Sequence, residues 1–97
     1  MATYVTLYTF TDQGIRNVKD SPDRLAEGIR VFEQSGGEIL GAYYLEGTYD
    51  LVVISRHDDD RTAAAFALAQ AARGNVRSMT MRAFSKEEFE EVLRRMP

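Results

Sequence analysis

An α+β domain built on one antiparallel sheet is predicted from three features of this chain. Three stretches, Thr3–Phe10, Glu38–Ser55 and Asn75–Phe84, are rich in β-branched and aromatic residues at alternating positions, the composition that suits a pleated, half-buried surface. Two helical patterns with clear start signals separate them, one opening at Ser21-Pro22 and one at Asp58-Asp59-Asp60. The middle stretch holds a turn at Gly47-Thr48 and so counts as two strands, which gives the order strand, helix, strand, strand, helix, strand, helix.

The first strand runs from Thr3 to Phe10. Tyr4, Thr6, Tyr8 and Phe10 point one way, and Val5 and Leu7 the other. Thr11–Asp20 is a connector in which Asp12 is expected to cap one helical turn that buries Ile15 and Val18. Ser21 then offers a side-chain oxygen as a helix N-cap, Pro22 loses no hydrogen bond at the first helical position, and Leu25, Ile29 and Phe32 form the apolar stripe. Gly28 lies on that stripe, where close approach to a strand is expected. Gly36-Gly37 ends the helix by supplying a left-handed residue.

The hairpin Glu38–Ser55 is expected to fold back through a two-residue loop at Gly47-Thr48, with Tyr49 and Asp50 opening its second strand. His57-Asp58-Asp59-Asp60 reads as an exposed turn and cap with a solvated histidine. The helix from about Asp60 to Arg73 contains seven alanines with Phe66 and Leu68, and Gly74 stops it. The last strand, Asn75–Phe84, has Val76, Ser78, Thr80, Arg82 and Phe84 on one face and Arg77, Met79, Met81 and Ala83 on the other. Ser85 and Glu88 form a capping box for a terminal helix with Phe89, Val92, Leu93 and Met96 as its stripe. With right-handed crossovers this order gives a ferredoxin-like βαββαβ antiparallel sheet of order 4-1-3-2, two helices on one face, and an extra C-terminal helix.

At 97 residues the chain is a single domain, residues 1–97. A net charge of −3 with scattered Arg and Lys disfavours nucleic acid and anionic membranes as partners, since both need a basic patch. The absence of cysteine excludes disulfides, thiolate nucleophiles and Cys-ligated zinc or iron–sulfur clusters. No apolar run approaches the ~20 residues of a membrane span. No basic leader precedes an apolar core, so a cytoplasmic protein is expected.

A sheet covered by helices on one side leaves the other side bare. Strand one offers that face Tyr4, Tyr8 and Phe10, and strand two offers Ile39, Tyr43 and Leu45, or each offers the alternate set. An apolar patch of this kind is unusual on a monomer, and a homodimer or higher homo-oligomer packed sheet against sheet is expected. The alternative is that the terminal helix folds over the bare face.

The least expected polar residue is Asp50, in an otherwise apolar strand. Beside Tyr49, and paired with Arg24, Arg77 or Arg82, it would anchor the polar groups of a small ligand, with Tyr8 and Tyr43 as walls. The competing reading is that Asp50 accepts backbone hydrogen bonds and fixes the hairpin. The adjacent aspartates 58–60 cannot all face one ion on a forming helix, so no metal is expected, and no cofactor motif is present. The aromatic strands are shared with RNA-binding sheets of this topology, but no glycine–aromatic motif with basic flanks accompanies them.

Three segments, TDQGIRNVKDSPDR, AYYLEGTYDLVVI and GNVRSMTMRAF, together resemble the GYD domain family of small bacterial proteins, with Gly47, Tyr49 and Asp50 matching the residues behind its name. The resemblance implies a ferredoxin-like domain related to dimeric α/β barrel proteins and supplies no established activity. The family's characteristic positions fall on Thr11, Gly14, Pro22, Arg24, Gly47, Tyr49, Asp50, Gly74, Asn75 and Arg77. Where the family has an acidic residue and a proline before the paired aspartates, this chain has Arg56 and His57. The expected function is a homo-oligomeric small-molecule binding or regulatory module. The alternatives are a small cofactor-free isomerase, decarboxylase or monooxygenase of the dimeric barrel kind, and an assembly protein without a ligand.

Overall fold

The computed structural model describes residues 1–97 and orders them as β1 (Ala2–Phe10), α1 (Asp12–Arg16), a 3₁₀ turn (Val18–Asp20), α2 (Ser21–Gln34), β2 (Glu38–Tyr44), β3 (Leu51–His57), α3 (Asp60–Ala72), β4 (Val76–Ala83) and α4 (Lys86–Arg94). The four strands form one antiparallel sheet of order β2-β3-β1-β4, which is the predicted 4-1-3-2 order read from the other edge.

Register divides the side chains into two faces. Tyr4, Thr6 and Tyr8 lie opposite Ser55, Val53 and Leu51 of β3 and opposite Arg82, Thr80 and Ser78 of β4. Phe32 of α2 and Phe66 of α3 pack with residues of this face, edge to face at 5.1 Å, so this is the helix side. The bare side is therefore the alternate set: Val5, Leu7, Val52, Ile54, Met79 and Met81, with Tyr43 of β2 opposite Val52. Only nine residues are buried, and the only large apolar ones among them are Phe32, Leu51 and Val53. A single copy thus completes only a small core. The terminal helix does not close the bare side, since no residue of α4 is buried.

Several local expectations change. The hairpin is not closed by a two-residue turn: β2 ends at Tyr44, β3 begins at Leu51, and Leu45 N–H donates to the Asp50 carbonyl across the intervening loop. Gly47 still takes the left-handed region, at φ 138°. Thr11, not Asp12, caps α1, and Ile15 and Val18 are exposed rather than buried, because α1 turns its Gly14 inward instead. Ser21 is the first residue of α2 and not its cap; its hydroxyl is shared with Tyr44 Oη at 2.9 Å, tying the helix start to β2. Gly28 approaches a helix and not a strand, since a methyl group there would lie 3.7 Å from the Phe66 ring of α3.

His57 is the largest departure. It is buried at the end of β3, where its ring meets Phe32 edge-on at 5.4 Å. Nδ1 accepts from Asp59 N–H at 2.9 Å, and Nε2 lies 3.1 Å from Ser35 Oγ, whose proton goes to the Phe32 carbonyl. With Nδ1 accepting, the ring hydrogen sits on Nε2 and points to Ser35 Oγ. The ring needs room that only glycine leaves: a methyl group on Gly37 would fall 2.3 Å from Phe32 and 2.9 Å from His57. An alternating strand and a helix C-terminus converge here, and the one side chain with two in-plane polar atoms bridges them.

Candidate functional site

The largest cavity, about 420 Å³, opens between the helix side of the sheet and α3. Its floor is Tyr4, Thr6 and Tyr8 of β1 with Ile39, Val53, Ser55 and Thr80 from the other strands. Its roof is Ala63, Ala64, Phe66, Ala67 and Leu68, and Phe32 closes one side. The volume follows from sequence. Alanines on the sheet-facing turns of α3 reach too short a distance to fill the space above a strand, while the tyrosines below stand up around it. Asp59 holds the start of this helix by accepting from the amides of Arg61 and Thr62.

The polar groups inside are hydroxyls. Thr6 Oγ1 and Thr80 Oγ1 share a hydrogen bond of 3.1 Å across β1 and β4. Burial alone pushes the Tyr8 phenol above its usual range, so Tyr8 stays protonated and is a donor at neutral pH. The only charged lining residue is Asp60, exposed in the first turn of α3.

The seven residues singled out from sequence do not converge. Tyr8 lines the cavity. Asp50 lies outside it and extends the sheet: its N–H donates to the Tyr8 carbonyl at 2.9 Å, and its Oδ2 accepts from Phe10 N–H at 2.8 Å. The β1–β3 ladder ends at Tyr8 opposite Leu51, and the Asp50 carboxylate supplies the next acceptor where the backbone of the loop has turned away. Tyr49 is half-buried beside it. Arg24 donates through Nη1 to the Asn17 carbonyl at 3.0 Å, and its buried Nη2 has no partner. Arg77 lies opposite Thr9, on the bare side. Arg82 lies opposite Tyr4 but turns to the Thr3 and Ala83 carbonyls, to Glu88 at 3.6 Å and over the Phe84 ring at 4.5 Å. Tyr43 stands 63% exposed on the bare side, so it shares no wall with Tyr8.

Four other positions shared with the family resemblance form one structural knot. Thr11 N–H donates to the Asn75 carbonyl at 3.1 Å and Thr11 Oγ1 to the Gly74 carbonyl at 2.5 Å. Gln13 Nε2 bonds the Arg73 carbonyl and Asn75 Oδ1, both at 3.0 Å. Gly14 packs so tightly that a methyl group on it would lie 1.9 Å from the Asn75 oxygen. The knot fixes where α3 ends and β4 begins beside the end of β1. The hydroxyls of Thr6 and Ser55 were missed from sequence. The signal that pointed to them was the alanine run over an aromatic strand.

A protein of Thermus thermophilus named glutamine synthetase and cystathionine beta-lyase binding protein is 33% identical over 84 residues, spanning 86% of this chain and 88% of that one. The crystal structure of FFRP-DM1 superposes with a TM-score of 0.58 at 22% identity, over 87% of this chain and 100% of that one. Hypothetical protein PHS023 from Pyrococcus horikoshii superposes with a TM-score of 0.54 at 20% identity, over 89% and 93% of the two chains. Both solved structures share the fold. The GYD domain matches residues 4–93, nearly the whole length, and the chain belongs to the GYD domain family.

Proposed function

We propose that this chain is a homo-oligomeric binding and regulatory module, ferredoxin-like in type and cytoplasmic, which docks on larger proteins and takes a small molecule between its sheet and α3. The observation that carries the proposal is the bare sheet side. Four strands about 4.8 Å apart and about 20 Å long present roughly 400 Å² per copy. If half of that area on two copies is apolar, sheet-on-sheet packing contributes about 10 kcal/mol at about 25 cal/mol per Å². Association costs about 4–15 kcal/mol, so the quality of fit decides the affinity. Met79, 49% exposed, and Met81, 40% exposed, are adaptable side chains suited to such a contact. The relative named for binding two enzymes supports larger enzymes as the partners of this chain as well.

Among the candidate residues, Tyr8 is assigned to the ligand and Tyr43 and Arg77 to the interface between copies. Asp50, Tyr49, Arg24 and Arg82 are assigned to holding the scaffold. A binding role is favoured over acid–base catalysis because the Asp50 carboxylate is engaged by a backbone amide and burial keeps the Tyr8 phenol protonated.

Sedimentation velocity or native mass spectrometry on the purified chain tests the proposal. A dimer or multiple of dimers is expected at micromolar concentration, and Met79→Glu with Met81→Glu should yield folded monomers. A wild-type chain that sediments as a monomer at 100-fold higher concentration would overturn it.

A further inference from the structure

We infer that the cavity between the sheet and α3 takes a neutral, flat, largely apolar molecule carrying one hydrogen-bond acceptor, and that it discriminates against both anions and cations of the same shape. The inference deepens the proposed binding function and rests on it for the site. Three observations carry it.

The first is volume. About 420 Å³ stands open between the sheet and α3, within the range of small-molecule sites. Ala63, Ala64 and Ala67 leave it unfilled, where longer apolar residues would take up part of it. The second is charge. No Lys, Arg or His lines the cavity, so an anion finds no counter-charge. A cation would have to leave water for a lining of rings, methyls and hydroxyls, with Asp60 exposed to solvent and so well screened. The third is polarity. Thr6 and Thr80 satisfy each other, whereas the half-buried Tyr8 hydroxyl, still open to the cavity, makes no hydrogen bond within the chain. A protonated phenol in that position donates, so the complementary ligand atom is a carbonyl, ether or ring nitrogen.

An isosteric series separates these terms. 2-Naphthamide, 2-naphthoate and 2-naphthamidinium share ring and outline and differ in charge at neutral pH. Isothermal titration and protein-observed NMR on the full chain should show 2-naphthamide binding at least tenfold more tightly than either charged analogue, with shifts at Thr6, Tyr8, Ser55 and Ala67. Tyr8→Phe should weaken 2-naphthamide about fivefold, the effect of one hydrogen bond worth about 1 kcal/mol, while leaving 2-naphthamidinium, which has no acceptor, unchanged. Ala67→Leu should abolish binding with circular dichroism and subunit number unaltered, and Ala64→Leu provides a second filling variant if the first fails to fold. Tightest binding by the naphthoate or the naphthamidinium would overturn the inference, as would amide binding that survives both fillings. The same outcome follows if none of the three binds. Subunit number, measured on the same samples, reports separately on the module itself.

Discussion

Single residues fix this fold at places where backbone groups would otherwise lack partners. Asp50 continues the β1–β3 ladder with its own N–H and then with its carboxylate, and removing that carboxylate leaves Phe10 N–H unpaired. Asp50→Ala should therefore cost about 1–3 kcal/mol, measured by urea denaturation, whereas Asp50→Asn, which keeps an acceptor oxygen, should cost less. Gly14 is constrained by space and not by conformation: the Asn75 carbonyl occupies the volume a side chain needs. Gly14→Ala forces main chain apart and should destabilise the protein by about 3 kcal/mol, seen as a lower melting temperature. His57→Ala deletes two hydrogen bonds and a ring packed on Phe32, and should cost about 2–4 kcal/mol in the same assay.

At the scale of elements, α3 and α4 differ in how their sequences relate to their surroundings. α3 is apolar around most of its circumference, and Leu68, at the open edge of the cavity, is 72% exposed. α4 is strongly amphipathic, and its Phe89, Val92 and Leu93, with Met96 just beyond it, all face solvent in one copy. Nine residues are too few to hold a helix in water by propensity, so its capping box carries much of its order. There Ser85 Oγ accepts from Glu88 N–H at 3.1 Å and the Glu88 carboxylate accepts from Ser85 N–H at 2.9 Å. The bond from Ser85 N–H, first among several contributions, holds the Glu88 carboxyl below the usual carboxylate range. A depressed folded pKa means that the stabilisation is present above the unfolded value and is lost as pH falls through the lower folded one. The helix should thus loosen on acidification below the normal glutamate range, read from the Ser85 and Glu88 amide signals by NMR. Glu88→Gln should remove that dependence.

For the molecule as a whole, the governing fact is imbalance. Met79, Met81 and Tyr43 of the bare side, Leu68 of α3 and the stripe Phe89, Val92, Leu93 and Met96 lie open in one copy, and the chain spans 49 × 30 × 20 Å. A short chain buries only about two-thirds of its unfolded surface, so association is the available route to further stability. Melting temperature should accordingly rise with protein concentration, and the Met79→Glu, Met81→Glu chain should lose that rise; a concentration-independent melt of the wild type would argue for a self-sufficient monomer.

The sequence alone determined the element order, the strand pairing order, both helix-capping signals at Asp58–Asp60 and Ser85, and the alternation that sorts β1 into two faces. These depend on local periodicity and short-range backbone chemistry, which a linear chain displays directly. Only the tertiary structure decided which face the helices cover, why Asp50 bonds Phe10, where His57 turns, and that the space under α3 is walled by Tyr8 and hydroxyls while Tyr43 and Arg77 lie on the far side. Each of those outcomes is a contact between segments distant along the chain, set by which side chains compete for the same volume, and alternation looks identical from either side of a sheet.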